Sequence, residues 1–391
     1  MRFLRPVAIW LLGLLLVPPS FAVALDMEEW VPGLKLSPFL TERIDYETNV
    51  FQVPSHAQSS VIFRTIPGFL ADYTFGPHSL SVGGRVDILR YVALPEQNTV
   101  NYAFVTQLRL EFPRTLVNIR DDIVRTTDPP NTELTGPIVS LTNTLNAQTE
   151  YRVTDRFSVG TEASWLHVSF QDPTVAADLN RNEYLINGSV YWKVRPTLDL
   201  KLTPFYIRED FTDSTNRNVN DYGGTLGLRG AITPRLTSTF RVGILDRVPD
   251  SSGQPGYLGW IMGGGFIYTP TDRTMISLIF DRSPQESTFN DVPFYVTTNA
   301  ALNFSQRITP KITVTAKLGG GVNNYPEKQE TVGGQFKFRQ DYFYAFSVGA
   351  EYQIRRWLNV GVDYAHMGRT SNFDQYDFKD DRITGRVTLQ F

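Results

Sequence analysis

From Leu34 onward the chain repeats one pattern: ten to fourteen residues in which apolar and polar positions alternate, then a turn. The final stretch, "RITGRVTLQF", puts Ile383, Val387, Leu389 and Phe391 on one parity and Thr384, Arg386, Thr388 and Gln390 on the other. Successive side chains of a strand point to opposite faces, so each such stretch predicts a two-faced β-strand. In "KITVTAKLGGGV" Ile312, Val314, Ala316 and Leu318 oppose Lys311, Thr313, Thr315 and Lys317; Val82, Val86 and Ile88 likewise oppose Arg85 and Asp87. In the stretch from Asp341, Tyr342, Tyr344, Phe346 and Val348 oppose Asp341, Ser347, Gly349 and Glu351. One stretch breaks the rule. "TLVNIRDDIVRT" places Asp121 on the parity of Val117, Ile119 and Ile123, which predicts a bulge or a shifted register there.

Short turn signals ("FGPHS", "FPRT", "VTDR", "VRPT", "TPRL", "TPTDR", "TPKI", "IRRW") recur about every forty residues, and longer polar stretches such as "TTDPPNTELTGP", "TDSTNRNVND" and "YPEKQETVGG" fall between them. Eight tight turns alternating with nine longer loops predict about eighteen strands, each the length of a tilted membrane strand. Aromatic residues gather at both strand ends. Phe75, Phe112, Phe157, Trp192, Tyr268, Trp357 and Phe391 flank tight turns, while Tyr91, Tyr102, Trp165, Tyr184, Tyr222, Trp260 and Tyr342 flank long ones, as two interfacial girdles would. A soluble secreted sheet protein would alternate too, but it explains neither the regular succession of turns nor the terminal aromatic.

The N-terminus supplies an address. Arg2 and Arg5 precede an apolar run from Val7 to Val17, too short for a span, and Ala22-Val23-Ala24 is a small-x-small cleavage site. The predicted plan is a cleaved signal peptide at 1–24, a short periplasmic lead-in at 25–33 and a barrel at 34–391. The fold class is all-β: a transmembrane antiparallel up-and-down β-barrel of about eighteen strands with both termini periplasmic, in a Gram-negative outer membrane, with the long loops extracellular. Composition narrows the chemistry. A net charge of -3 without a polybasic run argues against nucleic acid as a partner, and the absence of cysteine removes disulfides and thiolate metal sites.

The opening strand and its end, "LKLSPFLTERIDYETNVF" with Asp45-Tyr46-Glu47-Thr48-Asn49, together with "VTDR", "TPRL" and "TPKI", resemble a beta-barrel porin family associated with exopolysaccharide synthesis and export clusters. The resemblance covers nearly all of the chain beyond the leader. It implies a conduit, and as passenger an exported exopolysaccharide; outer-membrane barrels of this kind resemble one another in a C-terminal aromatic read by the insertion machinery, here Phe391. The implied partners are outer-membrane lipids, lipopolysaccharide, that machinery and polysaccharide export components.

Residue chemistry adds little catalysis. His167 and Ser169 share the lipid parity, which would suit a lipid-cleaving barrel, but no third activating group is evident, and interfacial side chains are the plainer reading. The "GGG" runs at 263–265 and 319–321 precede no helix, so they read as points where the wall bends rather than as phosphate loops. Asp374, Asp377, Asp380 and Asp381 match no calcium-loop spacing and read as a solvated acidic loop. No enzyme activity, metal or cofactor is expected.

What remains is the lumen. Parity assigns Arg64, Arg85, Asp87, Arg109, Glu111, Arg120, Arg152, Glu162, Lys201, Arg229, Arg241, Lys317, Glu351 and Arg386 inward, a polar wall with a small excess of cations. An eighteen-stranded barrel is wide enough for water. The expected function is a passive aqueous conduit; a general small-solute porin and a non-conducting structural or adhesive barrel are the alternatives.

Overall fold

A computed structural model describes residues 25–26, 31–129, 131–289, 292–331 and 333–391. The expected leader at 1–24 lies outside the described residues, as do positions 27–30 of the lead-in. The two-residue strand β1 (Leu25–Asp26) pairs with Leu36 and Lys35 of the next strand.

Alternation becomes strand throughout. The wall consists of β2 (Leu34–Glu47), β3 (Ser60–Phe75), β4 (His78–Tyr91), β5 (Thr99–Glu111), β6 (Thr115–Thr126), β7 (Ser140–Arg152), β8 (Phe157–Phe170), β9 (Arg181–Arg195), β10 (Leu198–Phe211), β11 (Val219–Thr233), β12 (Leu236–Pro249), β13 (Tyr257–Thr271), β14 (Thr274–Phe289), β15 (Val292–Thr309), β16 (Ile312–Glu330), β17 (Phe336–Arg355), β18 (Leu358–Ser371) and β19 (Phe378–Gln390). Each pairs antiparallel with its sequence neighbours. β19 returns to β2 from Arg382↔Glu47 to Gln390↔Phe39, so eighteen strands close on themselves and no sheet edge is left open. Among the described residues one α-helix, α1 (Pro173–Leu179), stands in a long connection; the Asp172 carboxylate caps it by accepting from the backbone of Thr174 and Val175.

The two faces differ in chemistry. On β2, Ile44 and Tyr46 are 50% and 44% exposed, whereas Asp45 and Glu47 between and beside them are buried. The same outward parity exposes Phe104, Val190, Leu226, Ile244, Leu318, Val348 and Val362 around the ring. So much contiguous apolar surface does not face water on a soluble protein, but it suits hydrocarbon, and a closed barrel leaves no backbone group unpaired there. Aromatic side chains stand exposed at both ends of the strands, including Phe112, Phe157, Trp192 and Trp357 at tight turns and Tyr184, Tyr222, Trp260 and Tyr342 at long connections.

Five expectations need correction. Asp121 causes no bulge: the β5–β6 and β6–β7 ladders run without a shift, and Asp121 faces outward because the Asn143 amide donates to its carboxylate at 2.9 Å. Tyr91 is no girdle residue; it is buried with Val50, Ile62, Leu89 and Leu94. The wall strands are 12 to 20 residues long, and the longest, β15–β17, stand together. "YPEKQETVGG" is mostly strand rather than loop, since Lys328–Glu330 of β16 pair with Phe336–Phe338 of β17. Finally, Asp380 is not solvated: it is buried and accepts from the Thr48 and Asn49 backbone and the Thr48 hydroxyl. The "GGG" at 263–265 is strand, and Gly264 is required there. Its φ is +133°, and a Cβ would meet the Thr239 carbonyl at 2.0 Å.

Candidate functional site: the lumen wall and its crossed mouth

Most inward charges come in pairs. Arg64 bridges Asp87 and Asp45, whose other partner is Arg43 at 2.7 Å, and Arg382 holds Glu47 at 2.7 Å. Arg386 holds Asp363 and, at 3.1 Å, Glu351. Arg120 pairs with Asp122 and Arg109 with Glu111, each at 2.6 Å, the latter pair near a tight turn and half exposed. Arg229 of β11 reaches Asp199 at 2.7 Å and Glu150 of β7 at 2.8 Å while stacking on the Tyr191 ring. Glu162 accepts from the Asn146 and Asn187 amides.

A few cations are less compensated. Among the described residues Arg85, Lys201 and Lys317 make no hydrogen bond or ion pair, although Lys201 lies over the Tyr191 ring at 5.3 Å. Arg241 lies on the inward face between Gly227 and Gly263, near Asp281. Arg152, at the tight-turn end of β7, is exposed. Along β14 to β17 small neutral groups, Ser277, Asn299, Asn303, Thr313, Thr315, Ser347 and several glycines, share the inward parity with Asp281, Lys317 and Glu351. The lumen wall is therefore wettable and nearly charge-neutral.

At the long-connection end the mouth is crossed. The connection from 127 to 139 leaves β6 and returns into β7, and its base is closed by Ile138 donating to the Thr127 carbonyl at 2.8 Å. Its apolar side chains Leu134 and Ile138 pack on Val168, Phe170 and Leu179, the last residue of α1. The Asn131 side chain shapes the tip by accepting from the backbone of Glu133 and Leu134. That tip meets far strands. The Glu133 carboxylate accepts from the Ser287 hydroxyl at 2.9 Å and from the Thr288 backbone at 2.5 Å, both on β14, eight strands further round the ring. Asn323 of β16 donates to the Thr132 hydroxyl at 2.6 Å, and Arg369 of β18 donates to the carbonyls of Thr132 at 2.6 Å and Glu133 at 3.1 Å. A segment bonded at once to β14, β16 and β18 must span the opening. Arg217, on a 3-10 turn after β10, fixes the β14–β15 hairpin by donating to the carbonyls of Ser287 and Pro293.

Burial governs the chemistry of that tip. It raises the Glu133 carboxyl above its ordinary value, against the opposing pull of the Thr288 N–H and of Arg339. None of Glu133, Arg217, Asn323 and Arg369 stood out in the sequence as a site residue. The available signal was the pair of apolar residues, Leu134 and Ile138, inside an otherwise polar loop. His167 and Ser169 face outward and take no part in the lumen.

Solved structures with a related outline include the outer membrane protein OpdK of Pseudomonas aeruginosa, 12% identical, covering 91% of this chain and 99% of that one with a TM-score of 0.48. OccAB3 of Acinetobacter baumannii is 9% identical over 91% and 99% of the two chains, also at 0.48. OprD of Pseudomonas aeruginosa is 10% identical over 91% and 95%, at 0.46. No curated protein matches the sequence. A family model matches residues 35–391, almost the whole described chain, and the protein belongs to the family described as Putative beta-barrel porin 2.

Proposed function

We propose that the protein is a passive aqueous conduit across the outer membrane, oriented with its tight turns and both termini in the periplasm and its crossed mouth outside. The observation that carries this reading is the inward wall: most of its charges stand in ion pairs, with small neutral polar groups between them. Such a wall holds water without binding an ion tightly enough to stall it. It also suits a hydroxyl-rich passenger. Exopolysaccharide on its way out of the cell is the finer reading, supported by the sequence resemblance rather than by geometry. A polymer chain would need the 127–139 connection to swing aside, so the conduit rests in a narrowed state.

Planar-bilayer recording tests this. The intact barrel should conduct weakly, and replacing residues 129–137 by a short turn should raise the conductance several-fold. Because most inward arginines are paired, ion selectivity should be slight. Arg85→Glu or Lys317→Glu, which change charges outside any direct ion pair, should move the reversal potential toward cation preference, whereas Arg109→Glu should do so less. A barrel silent even after loop removal, in a strain whose secreted polysaccharide is unchanged by deletion of the protein, would leave only a structural role.

A further inference from the structure

The outward wall of β6–β9 carries a polar stripe that climbs toward the outer girdle. Asp121, Asn143, His167 and Asn182 run across four adjacent strands on the lipid parity, rising to the level of the outer girdle. Within this stripe the third group that the sequence lacked is present. Asn182 of β9 lies directly opposite His167 of β8, with its Oδ1 3.0 Å from His167 Nδ1 and 3.1 Å from Trp165 Nε1.

Those two distances fix the proton. An indole N–H can only donate, so the amide atom it meets is the oxygen. That oxygen can only accept, so the His167 nitrogen facing it is the protonated one, and Nε2 carries the free lone pair. An imidazole held in this tautomer by an acceptor is the general base of a serine hydrolase. Ser169 stands two residues further along the same face, roughly 6–7 Å along the strand. Its hydroxyl makes no hydrogen bond among the described residues, so it is available to turn toward His167. Ser169 also lines an outward cavity of about 210 Å³ together with Tyr102, Arg125, Leu141 and Gln171. The Arg125 guanidinium gives that cavity the sign which a developing oxyanion or a lipid phosphate requires.

We propose that Ser169, His167 and Asn182 form a lipid-facing esterase site acting on acyl esters of membrane lipid. Ser169 Oγ attacks the ester carbonyl carbon as its proton passes to His167 Nε2. The bond to the alkoxy oxygen breaks, and the leaving alcohol takes that proton. Water then attacks the acyl-serine, its proton returning through Nε2 to Ser169 Oγ as the fatty acid departs. Water is the only co-reactant. Asn182 touches no substrate; it positions the base. Ser169 is the penultimate residue of β8, level with the outer girdle, so in the orientation proposed above the ester belongs to the outer leaflet. The chemistry itself does not depend on the conduit.

The test uses the full barrel in mixed micelles, with a fluorophosphonate probe and with two separate substrates, phosphatidylethanolamine and lipopolysaccharide; the arm that releases fatty acid names the lipid. The wild type should be labelled at Ser169 and release fatty acid. Ser169→Ala and His167→Ala should lose about 10²-fold or more of that rate, while heat-modifiable migration and conductance stay unchanged. Asn182→Ala should lower kcat at constant KM and shift the pH profile of kcat, and Asn182→Asp, which also accepts, should recover part of the rate. Absence of labelling and of release from both lipids, or release that survives Ser169→Ala, overturns the proposal.

Discussion

Asp121 persists on a lipid-facing strand because Asn143, 22 residues away in sequence, hands it a hydrogen bond. Removing either member strands the other, and an orphaned carboxylate costs more than an orphaned amide, so the two single substitutions should differ. Asn143→Leu should cost about 1–3 kcal/mol through the orphaned carboxylate, Asp121→Val, which orphans only a neutral amide, should cost less, and the double replacement should be nearly neutral. Urea titration of the barrel in lipid vesicles measures all three, and equal losses from the two single substitutions would mean that the pair is not a unit. The same titration tests register: Leu318→Arg and Val348→Arg should each lose about 2–4 kcal/mol near the bilayer midplane, while Thr315→Arg and Ser347→Arg should lose far less. Parity was legible at these four positions, since one strand's alternation suffices to set it. It could not explain Asp121, whose partner is supplied by another strand. The His167 proton was equally hidden, because Asn182 meets it only across the β8–β9 pairing.

Among elements, the seam between β19 and β2 closes the ring, and the residues that carried the family resemblance cluster there. Asp45 and Glu47 meet Arg64 and Arg382, while Thr48 and Asn49 donate to Asp380. The acidic and aromatic corner is thus a clasp that joins the first strand to the last. Asp380→Ala leaves three donors at this corner without their acceptor and should lower the temperature at which the folded band is lost in heat-modifiability assays. At the other end of the seam the Phe391 backbone donates to the Pro38 carbonyl at 2.9 Å while its ring stays exposed. Phe391→Glu should therefore reduce outer-membrane yield while leaving the stability of barrel already folded nearly unchanged; equal yields in fractionated cells would remove the insertion role. Strand number was readable from the succession of turns. The lengths of β16 and β17 were not, because residues beyond the membrane, such as Pro326, Glu327 and Lys328, meet water and lose the alternation that marks a strand.

Across the whole molecule, the 127–139 connection decides whether a wettable lumen is an open one, and Glu133 makes that decision depend on pH. Burial holds its carboxyl above the ordinary glutamate value of 4.5, so the docked loop binds a proton more tightly than the free loop does. Below the free value both states are protonated and docking is at full strength. Between the free and docked values the docked loop keeps its proton while the free loop loses it, and each pH unit weakens docking about tenfold. Above the docked value the loss is complete and no further change follows. Conductance should therefore rise as pH is raised above about 4.5, opposite in sign to a channel that opens on acidification. Glu133→Gln keeps the shape and hydrogen bonding of the protonated acid but cannot ionise, so its conductance should stay low and flat across the same range. Glu133→Ala, which deletes the bonds to Ser287 and Thr288, should be open at every pH. Single-channel recording from pH 4 to 8 distinguishes the three, and a Gln variant that follows the wild-type curve would assign the pH response to some other group.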